Sequence, residues 1–284
     1  MNNLITIEKK AFAKVNLFLK ILGKRADNYH EIFTVMHMID IFDTVRVNIA
    51  KGEYTTPLQI NISCGDKSVP SDERNTAYKS VRLYFEYLSK NTDAAKYNIS
   101  AVNIEIVKRI PLKAGLGGGS SDAASVLLAL NEYFYYALAE DMLLEIAGKI
   151  GADVSFFIKM KDGGTALCEG IGEIVTPIRG KTNFDDFIID ILKPDCGIST
   201  KEAFAIFDSA KSNNSPCFDR NYIISVFENG GIKDIADIMH NDFEEIIIPS
   251  NEDIKKAKAK FIERGAVAAQ LSGSGSAVFG IFLK

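Results

Sequence analysis

Four glycines within five residues, followed by two serines, restrict the fold of this chain more than any other feature. The segment runs from Gly115 to Ser121 and reads GLGGGSS. Glycine loses more conformational freedom on folding than any other residue, so a fold rarely carries so many without a use for them. Glycines let the backbone approach a bulky anion and turn its N–H groups toward it. The alternative is a flexible hinge, which the segment alone does not exclude.

The glycines stand between a predicted strand and a predicted helix. Two apolar patterns predict these elements: Val102, Ile104 and Ile106 alternate, whereas Ala123, Leu127, Leu130 and Phe134 recur at helical spacing. We expect Ser120 or Ser121 to cap the start of the helix. A helix N-terminus directly behind the glycines adds free amides and the positive end of the helix dipole, both of which favour a phosphate group.

Two common nucleotide motifs are excluded. A Walker A loop needs a lysine directly after its glycines, and none stands there. The dinucleotide fingerprint G-x-G-x-x-G fails because Ser120 occupies the place of the third glycine. The segment therefore predicts a phosphate loop of another type.

The composition is that of a globular protein. The chain has 284 residues, 47% of them hydrophobic and 25% charged, with a formal net charge of -4. This charge gives no indication of nucleic-acid binding, so an acidic substrate needs a local site. The cysteines form no C-x-x-C pair and are expected to be reduced structural thiols: Cys64, Cys168, Cys196 and Cys217. The histidines form no H-E-x-x-H motif, so we expect no catalytic zinc.

Neither end of the chain nor its interior predicts a membrane segment. Charged residues interrupt the N-terminal sequence MNNLITIEKKAFAKVNLFLK before a signal-like apolar core can form. No run reaches the roughly 18 apolar residues that a membrane-spanning helix needs. We therefore expect a cytoplasmic protein without a membrane partner. The sequence leaves the oligomeric state open.

The stretch from Phe12 to Ile21 alternates between two faces, which predicts a strand. One face carries Lys14 and Asn16 between two phenylalanines. Without further context, these polar residues would be interpreted as exposed side chains at the edge of a sheet. Beyond Lys161 the chain changes to a glycine-rich turn, short strands and further helices, so we predict a boundary near residue 160. The expected fold is α+β with domains over residues 1–160 and 161–284.

Three separated blocks resemble the signatures of one kinase superfamily. These blocks are AKVNLFLKILGKRADNYHE (13–31), PLKAGLGGGSSDAA (111–124) and LSGSGSAVFG (271–280). Their order and placement are similar to the galactokinase, homoserine kinase, mevalonate kinase and phosphomevalonate kinase superfamily. The resemblance implies an N-terminal ATP-binding domain of the ribosomal protein S5 domain 2-like kind. It also implies a ferredoxin-like C-terminal domain that binds the substrate.

The first block also resembles one branch of this superfamily. A-K-V-N-L-F-L followed by R-A-D-N-Y-H-E is similar to kinases of isoprenoid precursor synthesis that phosphorylate a hydroxyl of a cytidine-diphosphate polyol. GADVSFF (151–157) and GGTALCEGIGE (163–173) resemble two further blocks of the same branch. The implied partners are therefore small molecules, namely this acceptor and ATP. Homoserine, a sugar or a mevalonate-type acid remain alternative acceptors, and a sensor that has lost catalysis is an alternative of another class.

The resemblance assigns roles to individual residues. Lys14 and Asp153 match the lysine and aspartate that flank the reacting hydroxyl. Without the resemblance, a capping or turn role after Gly151 is the better interpretation of Asp153. The predicted substrate-binding residues are Asn16, Tyr29, His30 and Phe204. The predicted ATP-binding residues are Asn75, Lys108, Pro111, Leu112, Lys113, Ala114, Gly115, Leu116, Gly117, Gly118, Gly119, Ser120 and Ser121. The family uses Mg²⁺ with ATP, but its protein ligand is unknown from these residues.

Some positions depart from the family pattern. Asn28 stands where the branch usually has glycine, and asparagine tolerates a positive φ better than most residues, so we expect the turn to survive. Ser155 replaces a usual proline near Asp153, which could loosen the backbone there. The sequence given ends soon after the third block, where we expect a shortened last element of the second domain. None of these departures touches Lys14 or the glycines.

Overall fold

The computed structural model describes residues 4–53, 57–92, 97–196, 198–210 and 219–284. Cys64 and Cys196 are free thiols, as expected, and Cys217 lies outside the described residues. The chain forms two compact units, each built from three segments. The first unit contains Met1–Ala13, Asp40–Ile110 and Gly117–Lys161, and the second contains Lys14–Ile39, Pro111–Leu116 and Asp162–Lys284. The two-domain division at residue 160 stays a prediction.

The first unit contains a sheet whose strands carry the predicted alternation. Its strands are β1 (Leu4–Lys24), β2 (His30–Lys51), β3 (Gln59–Cys64) and β4 (Ile99–Val107), and β1 and β2 continue into the second unit. β4 lies between β2, which is antiparallel to it, and β3, which is parallel. Val102, Ile104 and Ile106 of β4 are buried, as the alternation predicted.

The helices of the first unit pack together through the residues predicted at helical spacing. They are α1 (Thr76–Asn91), α2 (Gly118–Tyr133), α3 (Glu140–Ile150) and α4 (Ala152–Lys159). Ala123, Leu127 and Leu130 of α2 are fully buried. The hydroxyl of Ser80 in α1 donates to the carbonyl of Ala123 at 3.0 Å, so α1 and α2 lie side by side.

The predicted serine cap of α2 is wrong. The residue before the helix is Gly117, in the left-handed region with φ of 72°, and no side chain of the described residues caps the helix. The first helical hydrogen bond runs from the N–H of Ser121 to the carbonyl of Gly117 at 2.9 Å. Both serines therefore lie inside the first turn. The reason is that glycine adopts the left-handed conformation without steric cost, which lets the helix begin among the glycines.

The second unit has short strands and the remaining helices. The strands are β5 (Thr165–Glu169), β6 (Ile174–Ile178), β7 (Phe187–Leu192), β8 (His240–Asn241), β9 (Ala268–Leu271) and β10 (Val278–Leu283). β5 pairs with β2 and β6, β8 pairs with β1, and β10 lies between β7 and β9. The helices are α5 (Thr200–Ser209), α6 (Arg220–Asn229), α7 (Ile232–Ile238), α8 (Asp242–Ile247) and α9 (Glu252–Glu263). Phe243, Phe261 and Leu271 belong to the hydrophobic core of this unit.

The turn between β1 and β2 keeps its form with asparagine at position 28. Asn28 has φ of 68°, within the left-handed region. The N–H of Asn28 donates to the carbonyl of Arg25 at 3.1 Å, and the N–H of Arg25 donates to the carbonyl of Tyr29 at 2.7 Å. The expectation that asparagine would tolerate this turn is confirmed. Across the described ranges, no helix is both long enough and apolar enough to span a membrane.

A buried histidine predicts how stability depends on pH. His37 lies in the second unit, with Nδ1 2.8 Å from the hydroxyl of Thr165 and its ring 4.3 Å from that of Phe184. Burial lowers the pKa of His37 to about 4, against an ordinary value of 6.5. Between these two values the unfolded chain binds a proton that the folded chain does not, so stability is lost as the pH falls.

We expect His37 to make the wild type about 2 kcal/mol less stable at pH 5 than at pH 7.5. Urea unfolding at both pH values measures this difference. In His37→Gln the part that comes from this side chain is absent, so the difference between the two pH values shrinks by the same amount. An equal pH dependence in wild type and variant would contradict the assignment.

Candidate active site

The glycine segment bends through a series of left-handed residues. Lys113 has φ of 51°, Gly115 has φ of 75° and Gly117 has φ of 72°. Residues 111–116 belong to the second unit, and the chain enters the first unit at Gly117. A left-handed conformation at every second residue points successive N–H groups toward a common side, which is a backbone arrangement that binds anions.

In the second unit, the three signature blocks meet at this loop. The N–H of Lys14, in the first block, donates to the carbonyl of Leu116 at 3.0 Å. From the third block, the hydroxyl of Ser272 donates to the carbonyl of Gly115 at 3.0 Å, and the N–H of Ala277 donates to the carbonyl of Ala114 at 3.1 Å. A Cβ at Gly115 would lie 2.0 Å from the carbonyl oxygen of Ser272, so only glycine fits. The loop is therefore held by segments that lie far away in the sequence.

Two buried amide side chains, which the sequence did not single out, hold the third block in place. The amide of Asn241 donates to the carbonyls of Leu271 at 2.8 Å and Gly273 at 2.9 Å. The amide of Gln270 donates to the carbonyl of Asn16 at 3.0 Å. Nothing in their local sequence distinguishes them from other polar residues, because their partners are backbone carbonyls that folding brings close.

Lys14 and Asn16 share one face of β1, as predicted, and both are buried. The ammonium group of Lys14 donates to the Oδ1 atom of Asn16 at 2.7 Å. The amide of Asn16 donates to the hydroxyl of Thr34 at 2.8 Å, and this hydroxyl donates to the carbonyl of Phe18 at 2.7 Å. This chain of hydrogen bonds fixes Asn16 and gives the lysine ammonium a defined position. The alternative of exposed edge residues is excluded by their burial.

Asp153 lies in the first turn of α4, two residues after Gly151. Asp153 is half-buried. Ser155, which stands in place of the usual proline, is buried in the same helix. Asp153 belongs to the first unit, whereas Lys14 belongs to the second. The backbone of α4 is thus regular through the position where we expected it to loosen.

In the first unit, the starts of two helices lie side by side next to the glycines. The hydroxyl of Thr76, the first residue of α1, donates to the carbonyl of Gly119 at 2.7 Å. Asn75 caps α1, because its Oδ1 atom accepts from the N–H of Ala77 at 2.9 Å while its amide donates to the carbonyl of Pro70. Two neighbouring helix N-termini provide positive dipole ends and free N–H groups, which suit a polyphosphate.

Lys108 is also in the first unit, where its ammonium group contacts two carboxylates. It donates to the Oδ2 atom of Asp122 at 2.8 Å and to the carboxylate of Asp43. All three side chains are buried. The resemblance predicted Lys108 as an ATP-binding residue, but the sequence gave no sign of its two aspartate partners.

Two family models match the chain. The model described as "GHMP kinases N terminal domain" matches residues 75–161, and "GHMP kinases C terminal" matches residues 223–284. A protein of Clostridium novyi (strain NT) named 4-diphosphocytidyl-2-C-methyl-D-erythritol kinase is 39% identical over 274 residues, which cover 96% of this chain and 90% of that protein. A protein of the same name from Clostridium botulinum (strain Loch Maree / Type A3) is 40% identical over 275 residues, with 96% and 90% covered.

The chain belongs to the 4-diphosphocytidyl-2-C-methyl-D-erythritol kinase family. A crystal structure of a 4-(cytidine 5'-diphospho)-2C-methyl-D-erythritol kinase has the same fold, with a TM-score of 0.73 at 27% identity, and the match covers 97% of this chain and 90% of that one. The predicted superfamily, its branch and the mixed α and β fold are confirmed. As a GHMP kinase, the protein is an ATP-dependent kinase of small molecules.

The predicted substrate-binding residues Tyr29, His30 and Phe204 lie in the second unit of this family member. The ring of His30 stacks on that of Phe204, with centroids 4.4 Å apart and planes at 13°. Nε2 of His30 lies 2.7 Å from the Oδ1 atom of Asp208. A hydrogen bond from Lys24, and to a smaller extent one from His30, holds the pKa of Asp208 below its ordinary value. Tyr29, next to His30, is 60% exposed.

Proposed function

We propose that the protein transfers the γ-phosphoryl group of ATP to the 2-hydroxyl of 4-diphosphocytidyl-2-C-methyl-D-erythritol in the methylerythritol phosphate pathway of isoprenoid precursor synthesis. The observation that carries the proposal is the meeting of all three signature blocks at the glycine loop, where the N–H of Lys14 donates to the carbonyl of Leu116 and the hydroxyl of Ser272 donates to the carbonyl of Gly115. The names of the Clostridium relatives support this substrate.

In this proposal, residues 111–121 bind the phosphates of ATP. The left-handed residues turn N–H groups toward the anion, and the N-terminus of α2 adds its dipole. The N-terminus of α1, capped by Asn75, lies beside it and would face the adenosine side of the nucleotide. Lys108 also belongs to this side of the nucleotide in the proposal. Because two carboxylates bind its ammonium group, its effect on ATP would be indirect.

Phosphoryl transfer is proposed to be direct and in line. The 2-hydroxyl oxygen of the acceptor bonds to the γ-phosphorus, the bond from this phosphorus to the β,γ-bridging oxygen breaks, and ADP leaves. Asp153 accepts the proton of the hydroxyl as the general base. Lys14 stabilises negative charge on the group in transfer, and its hydrogen bond to Asn16 orients the ammonium for this role.

Magnesium is proposed to enter with ATP rather than to reside in the protein. Among the described residues, no three carboxylate, thiol or imidazole groups cluster in a way that could hold a metal ion. The hydroxyls of Ser120 and Ser121 in the first turn of α2 are suitable oxygen donors beside the phosphates. The ion would neutralise charge on the phosphate oxygens.

The assay that tests this function measures ADP release from ATP and Mg²⁺ with four acceptors in parallel. Turnover with 4-diphosphocytidyl-2-C-methyl-D-erythritol alone is the expected result. ADP release with homoserine, mevalonate or galactose instead would retain the superfamily but overturn the acceptor. ATP binding without turnover of any acceptor would favour a sensor that has lost catalysis.

Tyr29 is proposed to stack on the cytosine base, with His30 and Phe204 in the same pocket. Its exposed ring leaves a face open to a base, whereas His30 and Phe204 stack on each other. Base stacking on an aromatic ring contributes about 1–3 kcal/mol, so we expect Tyr29→Ala to raise KM for the acceptor about tenfold. KM for ATP is expected to stay unchanged.

Tyr222→Ala is the matched control for this variant. Tyr222 lies in the same unit and is 57% exposed, against 60% for Tyr29. Steady-state kinetics with the acceptor and ATP varied in turn measure both constants. A rise in acceptor KM of the same size in Tyr222→Ala, or none in Tyr29→Ala, would contradict the assignment of the base pocket.

A further inference from the structure

A buried charge cluster in the first unit takes no part in the bond-making and proton-transfer steps of the proposed reaction. The cluster consists of Asp43, Lys108 and Asp122, whose side chains are 0%, 8% and 5% exposed. Burial lowers the pKa of Lys108, but Asp122 and Asp43 outweigh this effect and raise it above its ordinary value. The lysine is therefore charged and lies between two carboxylates. Its single positive charge offsets only one of the two carboxylates that it contacts.

Asp43 connects this cluster to the backbone that leads into the phosphate loop. Its Oδ1 atom accepts from the N–H of Arg109 at 2.5 Å and from the N–H of Ile110 at 2.8 Å. These two residues directly precede Pro111, where the loop begins. A single fully buried carboxylate thus fixes the last backbone groups before the loop.

Asp122 connects the same cluster to the other end of the loop. It lies in α2 just after the first turn, which is formed by the last glycines and the two serines. A Cβ at Gly118 would lie 3.4 Å from the Nζ atom of Lys108 and 3.1 Å from the side chain of Ile110. The ammonium of Lys108 therefore lies against the first turn of α2, at the point where the loop ends.

The cluster is expensive to bury, which indicates a use beyond stability. Buried ion pairs are often no more stable than apolar residues of the same volume. The Oδ1 atom of Asp122 is buried and has no hydrogen-bond partner among the described residues. Burial raises the pKa of Asp122 to about 7, while Lys108 lowers it and Asp43 raises it further. A packing role alone would be served better by apolar side chains.

We propose that Asp43 and Asp122, through Lys108, are positioning residues that hold the two ends of the phosphate loop at the spacing that ATP requires. The proposal rests on the proposed function, in that residues 111–121 bind the ATP phosphates. Asp43 fixes the backbone before the loop, Asp122 fixes the helix after it, and the ammonium of Lys108 joins them. Loss of either carboxylate lets the loop ends separate, so ATP binds more weakly while the acceptor site is unaffected.

Asp43→Asn and Asp122→Asn test this proposal, with Asp242→Asn as the matched control. Asp242 is a buried aspartate that likewise accepts from a lysine, Lys20 at 3.0 Å, and from a backbone N–H, that of Ile21 at 2.6 Å. It lies in the second unit, and its hydrogen-bond partners Lys20, Ile21 and His240 all lie outside residues 111–121. Calorimetric titration with ATP gives Kd, steady-state kinetics give KM for ATP and for the acceptor, and thermal unfolding gives stability.

We expect both cluster variants to raise Kd and KM for ATP about tenfold and to change the acceptor KM less than about twofold. Asp242→Asn is expected to lose stability without a change in ATP affinity. Unchanged ATP affinity in a folded cluster variant, or an equal loss in Asp242→Asn, would overturn the proposal. If Asp43→Asn fails to fold, Asp122→Asn decides. If the wild type binds ATP but phosphorylates no acceptor, the proposed function is wrong. The proposal for the cluster is still tested in that case, because the titration measures ATP affinity without turnover.

Discussion

Asp153→Asn is expected to lower kcat by roughly 100- to 10,000-fold, the range that general-base catalysis contributes. Asparagine has nearly the same shape as aspartate, but its amide cannot accept the proton of the acceptor hydroxyl. Asp153 lies in the first turn of the regular helix α4, so the substitution should leave the backbone unchanged. In the proposed function ATP binds through the glycine loop and not through Asp153, so KM for ATP is expected to change less than about threefold.

Asp141→Asn provides the control for Asp153→Asn. Asp141 also lies in the first turn of a helix in the first unit, α3, but it is exposed. Single-turnover kinetics separate the chemical step from product release, and thermal unfolding confirms that each variant is folded. A kcat within about fivefold of wild type in folded Asp153→Asn would rule out a general base at this position. A fall of the same size in Asp141→Asn would point to a general effect of lost negative charge.

Gly115→Ala is expected to weaken ATP binding by about 100-fold or more, equivalent to roughly 2.7 kcal/mol. The added Cβ would lie 2.0 Å from the carbonyl oxygen of Ser272 and 3.2 Å from the backbone nitrogen of Gly275. Both neighbours are backbone atoms, so no side-chain rotation relieves the overlap. The turn of the third block must move away from the loop, and the hydrogen bond from Ser272 to the carbonyl of Gly115 is lost.

Gly265→Ala separates this overlap from the cost of the left-handed conformation itself. Gly265 has φ of 83°, close to the 75° of Gly115, but within the described part of the chain no atom outside its own neighbours lies within 4 Å of the position of its Cβ. The Gly265→Ala variant should lose about 1 kcal/mol of stability and bind ATP as tightly as the wild type. Calorimetric titration with ATP and thermal unfolding measure both properties. ATP affinity at the wild-type level in Gly115→Ala would mean that the loop does not bind the phosphates.

The sequence predicted the parts of the site that depend on local properties. Alternating apolar residues predicted β1 and β4, and helical spacing predicted α2, because side-chain periodicity follows directly from backbone geometry. The density of glycines predicted a loop that binds anions. The predicted serine cap of α2 was wrong. Gly117 adopts a left-handed conformation without steric cost, so the helix begins at Gly118, before either serine.

Local pattern could not predict the residues that support the site through distant backbone groups. Asn241 and Gln270 hold the third block through carbonyls up to 254 residues away in the chain. Asp43 is fully buried although its type is usually exposed, and only its bonds to Lys108, Arg109 and Ile110 explain that burial.

The sequence by itself determined the kinase family, the glycine loop and the residues proposed for phosphoryl transfer, because motif order and glycine content can be read along the chain. Only the tertiary structure decided that Lys14, Gly115 and Ser272 meet, and that Lys108 is bound by two aspartates. The physical reason is that backbone periodicity is fixed within a few residues. Hydrogen-bond partners of buried polar groups, in contrast, are fixed by the packing of segments that are distant in sequence.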